Sequence, residues 1–204
     1  TKNELITNVA HDLRTPLTSI IGYLELLSSG PPDINEGYSG FSVSGNGIRY
    51  GLSAIKSVGR AVVDVIIAER ENGGLFKSLD DFVSRMSNKE VNKRTLESFI
   101  KSGALDTLPG TRKQKLIVSG DLLESKAREK KTVMEGQLSF FDLAPEEEKN
   151  NFQITFPNVG EYDKQTLLAF EKETIGIYVS GHPMEEYREL WEKNVTAKTS
   201  DFVV

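Results

Sequence analysis

The sequence predicts a mainly α-helical protein with a small β-hairpin, in which tandem helix-hairpin-helix units follow a long amphipathic helix. Apolar residues recur at steps of three and four along residues 5–27, which is the spacing of one helix face. Apolar and polar residues alternate on both sides of Gly45-Asn46-Gly47, which is typical of a hairpin. Farther along, turns that contain glycine separate pairs of helical segments within residues 51–71 and 93–115.

The composition of the 204-residue chain narrows the classes of function. Zero cysteines and two histidines exclude disulfides, thiolate zinc sites and a His-rich metal centre, so we expect no metal and no cofactor. The sequence contains no apolar run as long as a membrane span, and residues 1–24 lack the basic start and the cleavage site of a secretory signal. These features indicate a cytoplasmic protein with no membrane partner.

The opening helix carries an apolar stripe that needs a partner. Pro16 lies inside the stripe and predicts a kink, because proline removes a backbone donor. Since such a stripe is unstable in water alone, we expect self-association through residues 5–27 or packing onto the rest of the chain. The stripe consists of Leu5, Val9, Leu13, Leu17, Ile20, Leu24 and Leu27.

The string from Asn8 to Leu17 resembles the phosphoacceptor helix of sensor histidine kinases over its whole length. The resemblance implies that His11 accepts a phosphoryl group, that Asp12 orients and activates the imidazole, and that Thr15 serves phosphatase chemistry. A carboxylate that accepts from one ring nitrogen makes the other a better nucleophile, so this assignment is chemically sound. The alternative is a packing helix with one surface histidine.

A β-hairpin and a first helix-hairpin-helix unit follow. Phe41 and Val43 alternate with serines before the glycine turn, and Ile48 and Tyr50 resume the alternation after it. Residues 51–61 then join two apolar-periodic segments, of which the second continues as a helix to Glu71. Such a turn binds DNA when the next helix points its free N–H groups at a phosphate, although most glycine turns are plain connections. The expected DNA contacts here are Lys56, Gly59 and Arg60.

A second helical pair carries a cluster of basic residues. Residues 89–131 hold 11 basic and 6 acidic side chains, whereas residues 132–204 hold 6 and 14, within a chain of net charge −5. Two such units in tandem would grip the backbone of duplex DNA without reading its sequence, and the alternative is a helical connector with a solvated basic face. Thr111 is the expected N-cap of the second helix. The expected DNA contacts of this unit are Lys93, Arg94, Lys101, Gly110, Thr111, Arg112 and Lys113.

Residues 31–204 resemble the bacterial DNA polymerase III alpha subunit, between the end of its fingers and its oligonucleotide-binding barrel. Separate blocks carry this resemblance. Ser57 and Ala61 depart from it, because relatives often have glycine at these positions, and this departure counts against phosphate contact at the first hairpin. The matching blocks are Gly73-Gly74-Leu75-Phe76, Asp80-Asp81-Phe82, Val91-Asn92-Lys93-Arg94, the run from Ile100 to Asp106, the run from Leu168 to Tyr178, and Ser180-Gly181-His182-Pro183.

The charged stretch of residues 126–151 is expected to be flexible and contains one apolar cluster. This cluster resembles the motif by which bacterial replication proteins bind the sliding clamp, with the glutamine in a polar subsite and the leucine and phenylalanines in an apolar cleft. The alternative is that the phenylalanines anchor the loop on their own domain. The expected clamp-binding residues are Gln137, Leu138, Ser139, Phe140 and Phe141.

The C-terminal stretch is expected to be helical and non-catalytic. His182 is followed by Pro183 and has no acidic partner at a telling spacing, so the sequence favours a structural turn histidine. A helix over residues 184–193 is expected to bury Tyr187, Leu190 and Trp191.

These observations predict a chimera whose family changes near Gly30. The expected segments are residues 1–29 (kinase-like helix), 30–88 (end of fingers, hairpin and first unit), 89–131 (basic second unit), 132–151 (linker with clamp motif) and 152–204 (helical piece before the barrel). The predicted function is a fragment that binds duplex DNA and the clamp and that lacks the catalytic domains of both parent enzymes, DNA polymerase and histidine kinase. The alternatives are a sensor-kinase fragment with phosphoacceptor His11, and a join that arose artificially.

Overall fold

A computed structural model of the protein describes residues 29–44, 47–86, 91–134 and 155–194. The predicted opening helix with His11, Asp12 and Thr15 lies outside these residues. The predicted clamp motif, Gln137 to Phe141, lies outside them as well.

The sheet begins the described part of the chain. Strand β2 (Ser42–Ser44) pairs antiparallel with β3 (Gly47–Arg49), with Val43 opposite Ile48, which confirms the predicted hairpin. Strand β1 (Ser29–Gly30) pairs in parallel with the other edge of β3 and was not predicted, because two residues carry no periodicity. The tyrosine after β3, Tyr50, stacks edge-on against Phe41 with ring centroids 4.8 Å apart.

Six α-helices in the described residues confirm the mainly helical prediction. The predicted first helix of the first hairpin is wrong, since only a 3₁₀ turn at Leu52–Ala54 forms before the chain enters the turn at Lys56. The helices are α1 (Arg60–Gly73), α2 (Leu79–Met86), α3 (Lys93–Lys101), α4 (Arg112–Met134), α5 (Lys164–Thr174) and α6 (Arg188–Asn194).

Helix α4 is longer than predicted and runs into the segment expected to be a flexible linker. Charged residues in this stretch pair along the helix, with Arg128 and Glu124 one turn apart at 3.1 Å and Lys126 and Glu129 at 3.2 Å. Such pairs between residues three or four apart support an exposed helix, so high charge in residues 126–134 does not prevent helix formation.

One cluster of buried apolar side chains runs from Ile34 to Leu122 and therefore spans both predicted hairpin units. At its centre Phe82 is fully buried and lies edge-on between Phe76 and Phe99, with ring centroids 5.1 and 6.0 Å away. Helix α3 packs against α4 and α5, and α2 packs against α4. The two hairpins consequently share a core, which fixes their positions relative to each other.

The end of the described chain is a 3₁₀ turn at Pro183–Tyr187 that leads into α6. The His182 Nδ1 accepts the Met184 N–H at 3.1 Å and caps this turn, which agrees with the structural role expected for it. The expected burial of Tyr187 and Leu190 is wrong, since they are 48% and 63% exposed. The α6 helix and the turn pack mainly on each other, so helical spacing alone did not imply a buried face. No described helix is long and apolar enough to cross a membrane.

Candidate nucleic-acid interface

The turn of the first hairpin is built from Lys56 to Gly59. Ser57 adopts a φ of 67°, a conformation that glycine takes more easily than any residue with a side chain. The Ser57 carbonyl accepts the Thr95 hydroxyl at 3.4 Å, and the Lys56 N–H donates to the carbonyl of Thr174 at 2.8 Å. These contacts hold the turn between α3 and the end of α5.

A cavity of about 190 Å³ lies beside this turn, between α3 and α5. It brings together three of the residues predicted to contact DNA, Lys56, Arg94 and Lys101, of which Lys56 is far from the other two in sequence. Arg94 and Lys101 are seven residues apart on α3, two helical turns, so they share one face. The cavity is lined by Lys56, Ser57, Arg94, Glu97, Ser98, Lys101, Glu173 and Thr174.

The cavity combines the groups that recognise phosphate. Three cations supply charge, and the hydroxyls of Ser57 and Ser98 can donate hydrogen bonds, whereas the Thr174 hydroxyl already donates to the Phe170 carbonyl at 2.7 Å. Two carboxylates also face the cavity, and one of them, Glu173, lies 3.4 Å from the Lys101 ammonium.

Helix α1 begins without the side-chain cap that other described helices have. Asn92 caps α3 by accepting the Thr95 N–H at 3.0 Å, and Asp163 caps α5 by accepting the Thr166 N–H at 2.7 Å. At α1 the N-cap is Gly59, no side chain accepts there, and the first turn has no acidic residue. A Cβ added at Gly59 would meet no atom of the described structure within 4 Å. The N–H groups of Val62 and Val63 donate to the Gly59 carbonyl, at 3.1 and 3.3 Å, whereas no side chain caps those of Arg60 and Ala61. This helix start can therefore bind an anion.

The start of α4, in the second hairpin, is filled from within the protein. Thr111 is the N-cap as predicted, because its hydroxyl accepts the Gln114 N–H at 3.2 Å while the Gln114 side chain accepts the Thr111 N–H at 2.9 Å. The Glu161 carboxylate accepts the N–H groups of Arg112 and Lys113 at 2.8 and 3.1 Å. Desolvation alone would raise the pKa of Glu161, but hydrogen bonds from the N–H groups of Tyr162, Arg112 and Lys113 lower it below its ordinary value. A carboxylate thus occupies the place where a phosphate would bind.

Gly110 is required by the geometry of this second turn. Its φ is +92°, and a Cβ at this position would lie 2.8 Å from the ring of Phe156. The glycine therefore lets the segment around Phe156 approach the start of α4, and its role here is packing within the protein.

The guanidinium of Arg112 points into the protein. It donates to Asp106 from two nitrogens, at 3.0 and 2.6 Å, donates to the Lys101 carbonyl at 3.1 Å, and lies 3.5 Å from the buried carboxylate of Glu171. Burial would lower the pKa of Arg112, but Asp106 first, then Glu171 and Glu161, raise it above its ordinary value. Only 7% of the side chain is exposed. The guanidinium is consequently a structural group, contrary to the expectation that it contacts phosphate.

Lys115, one turn farther along α4, is also buried. Its ammonium donates to the carbonyls of Leu105 and Leu108 at 2.7 and 2.8 Å, and burial lowers its pKa. Lys115 thus holds the turn after α3 together through these two carbonyls, and its ammonium is too buried to contact a ligand.

The remaining predicted residues do not line the cavity. Lys93 is exposed at the start of α3 and faces α4, where its ammonium would lie 3.7 Å from a Cβ at Gly120. Arg60 is exposed at the start of α1, and the Lys113 ammonium lies 5.5 Å from the ring centroid of Tyr162.

Three carboxylates that organise this region were missed in the sequence: Glu161, Glu171 and Glu173. Each lies in the acidic residues 132–204 and contacts a group of the basic residues 89–131. The opposite charges of the two stretches were a signal that they face each other. The fold determines which residues pair, and the partners lie 48 to 72 positions apart in the sequence.

Two family models match the chain. One, described as the His Kinase A (phospho-acceptor) domain, matches residues 1–38, and the other, described as a helix-hairpin-helix motif, matches residues 28–115. They overlap around the predicted change of family near Gly30. The chain therefore consists of two parts that resemble different families.

Curated relatives cover most of the second part. The DNA polymerase III subunit alpha of Borreliella burgdorferi is 41% identical over 157 residues, 77% of this chain and 14% of the relative. The subunits of Thermus aquaticus and Escherichia coli are 42% and 37% identical, over 79% and 81% of this chain and 13% and 14% of the relatives. The chain thus spans about 14% of the length of the curated relatives it matches.

Proposed function

Because most of the chain resembles DNA polymerase III alpha subunits and contains a helix-hairpin-helix match, we propose that it is a non-catalytic fragment of such a subunit that binds the backbone of duplex DNA and the sliding clamp in DNA replication. We also propose a cytoplasmic location, where the bacterial chromosome lies. The relatives are named as polymerase subunits, and we do not assign polymerase activity to this fragment.

The first hairpin supports the DNA proposal most strongly. Here the chain passes from the cavity that Lys56 and Arg94 line to the start of α1, which has no side-chain cap. Lys56 and Arg94 face the cavity, and neither forms an ion pair within the described part of the chain. The N–H groups of Arg60 and Ala61, which no side chain caps, can donate to an anion. A phosphate bound here would meet charge and backbone donors together, without contact to any base edge.

The second hairpin contributes less to the proposed interface than the sequence predicts. Its helix start is occupied by Glu161, and Arg112 is held inside the protein. Lys93 and Lys113 stay in the proposal as peripheral cations that attract DNA, and the site of close phosphate contact moves to Lys56, Arg94 and Gly59. Lys101 also lines the cavity but is paired with Glu173. The order of importance of the two hairpins is therefore the reverse of the one suggested by counting basic residues.

The first experiment measures duplex binding against salt. Fluorescence anisotropy with a labelled duplex of mixed sequence should show weak binding whose log affinity falls linearly with log salt. Each phosphate contact contributes a slope of about −0.9, so Lys56→Ala together with Arg94→Ala should flatten the slope by roughly 1.8. The matched control removes one exposed charge elsewhere, Arg128→Ala on α4, and should leave the slope almost unchanged. A slope that stays the same in the double variant would contradict the proposed site.

The clamp proposal rests on the motif from Gln137 to Phe141, which lies outside the described residues. Burying one phenylalanine is worth about 1.5 to 3 kcal/mol, so Phe141→Ala should weaken clamp binding roughly ten- to a hundredfold. Titration of the purified clamp against the wild type, Gln137→Ala and Phe141→Ala tests this. Equal affinities for all three proteins would mean that the phenylalanines serve the chain's own packing.

The second candidate function is favoured by the match of residues 1–38 to the phospho-acceptor domain. In that case His11 accepts a phosphoryl group from a kinase domain supplied by another protein, with Asp12 and Thr15 in supporting roles. We further propose that the apolar stripe of residues 5–27 promotes self-association, as the sequence predicts.

A further inference from the structure

Lys101 differs from the other two cations of the cavity because it is already paired. Its ammonium lies 3.4 Å from both carboxylate oxygens of Glu173 and 5.2 Å from the ring centroid of Phe170. Both partners belong to α5. The charge of Lys101 is thus neutralised by the chain itself before any ligand arrives.

The position of Glu173 is fixed by its neighbours on α5. Glu171 is fully buried and accepts the N–H groups of Val179 and Ser180 at 2.8 and 2.9 Å. The carbonyl of Thr174 accepts the Lys56 N–H in the hairpin turn. With α5 anchored on both sides of it, Glu173 has to lie at the edge of the cavity.

The Glu173 side chain is nevertheless free to leave. It is 55% exposed, and its only polar partner in the described structure is the Lys101 ammonium. An exposed ion pair at 3.4 Å is weak, because water screens it and two long side chains must be held in place. A phosphate that brings a full negative charge to the cavity can therefore replace this carboxylate.

We propose that Glu173 is an internal counterion of the phosphate site, which holds Lys101 in the free protein and is displaced when the DNA backbone binds. This inference rests on the proposed function and names how the same site is regulated. Wild-type affinity is then set by competition between Glu173 and phosphate for Lys101, and α5 acts as a built-in limit on non-specific DNA binding.

The test is a double-mutant cycle read by duplex anisotropy at several salt concentrations. Glu173→Gln keeps the size of the side chain and removes the charge, so Lys101 becomes available. We expect roughly two- to fivefold tighter binding at low salt and a salt slope steeper by about 0.9, because one more phosphate is neutralised. The gain should vanish when Lys101→Ala is added, and far-ultraviolet circular dichroism should show the same helix content in all variants.

The matched control is Glu124→Gln on α4, which removes an exposed carboxylate that faces Arg128 and not the cavity. An equal gain in this control would mean a general charge effect and would overturn the inference. A gain from Glu173→Gln that persists without Lys101 would overturn it as well. Binding that is unaffected by Glu173→Gln but lost in Lys56→Ala with Arg94→Ala would reject the counterion and keep the proposed DNA site. If neither the wild type nor Glu173→Gln binds duplex, the proposed function itself fails.

Discussion

Glu171→Ala should destabilise the protein by about 3 to 5 kcal/mol, which is the usual cost of removing one partner of a buried ion pair. The Glu171 carboxylate is fully buried, lies 3.5 Å from the Arg112 guanidinium, and accepts two backbone N–H groups of the loop after α5. Its loss would leave a buried cation with one carboxylate fewer and two N–H groups without an acceptor. Urea unfolding followed by circular dichroism measures the change.

The control for this prediction lies on the same helix. Glu173→Ala removes a carboxylate that is 55% exposed, so it should cost less than about 1 kcal/mol. Glu171→Gln keeps the volume and tests the charge separately, and it should be intermediate. If Glu171→Ala and Glu173→Ala have the same effect, α5 is not anchored through the buried pair and the account of how Glu173 is positioned is wrong.

Phe82→Ala should cost about 3 to 5 kcal/mol, the range measured for large-to-small changes in protein cores. The ring is completely buried and is in contact with the rings of Phe76 and Phe99, which belong to different hairpin units. Its removal leaves a cavity at the point where the two units share their core. Urea unfolding of this variant should give one cooperative transition at lower denaturant, because a shared core unfolds as a unit.

Phe41→Ala is the matched control on the β-hairpin. This ring is 52% exposed and has Tyr50 as its aromatic neighbour, so its removal should cost about 1 kcal/mol or less. Two separate transitions in Phe82→Ala, or a loss no larger than that of Phe41→Ala, would show that the hairpin units are stabilised independently.

The local elements were predictable because short-range chemistry determines them. The alternation around Gly45-Asn46-Gly47 placed the hairpin, and Thr111 was identified as an N-cap from its position before a basic helical stretch. Ser57 stands where relatives often have glycine, and the structure holds this residue at a positive φ. The sequence therefore predicted the β-hairpin turn and the start of α4, but not the 3₁₀ turns at Leu52–Ala54 and Pro183–Tyr187.

The long-range contacts were not predictable, and they changed the interpretation of the site. Arg112 looked like a phosphate ligand because a basic residue at a helix start usually is exposed, but Asp106 and Glu171 hold it inside. Glu161 looked like one acidic residue among many, although it occupies the start of α4. Both depend on how the C-terminal stretch folds back on the basic hairpin. A sequence pattern of one helix does not contain that information.

The exposed faces of the end of the chain show the same limit. The spacing of Tyr187 and Leu190 is that of a buried helix face, yet both side chains lie largely in solvent. Helical periodicity states which residues share a side, and it does not state whether another element covers that side. The parallel pairing of β1 with β3 was missed for a related reason, since its partner lies 19 positions away and only two residues take part.

We propose that the first hairpin, and not the start of α4, contacts the DNA backbone. Titrating an unlabelled duplex into the isotope-labelled chain and following backbone amide resonances tests it residue by residue. We expect the amide resonances of Ser57, Gly59 and Arg60 to shift progressively with DNA, whereas those of Arg112 and Lys113, which already donate to Glu161, should stay in place. Shifts confined to Arg112 and Lys113, with Ser57 to Arg60 unmoved, would contradict it.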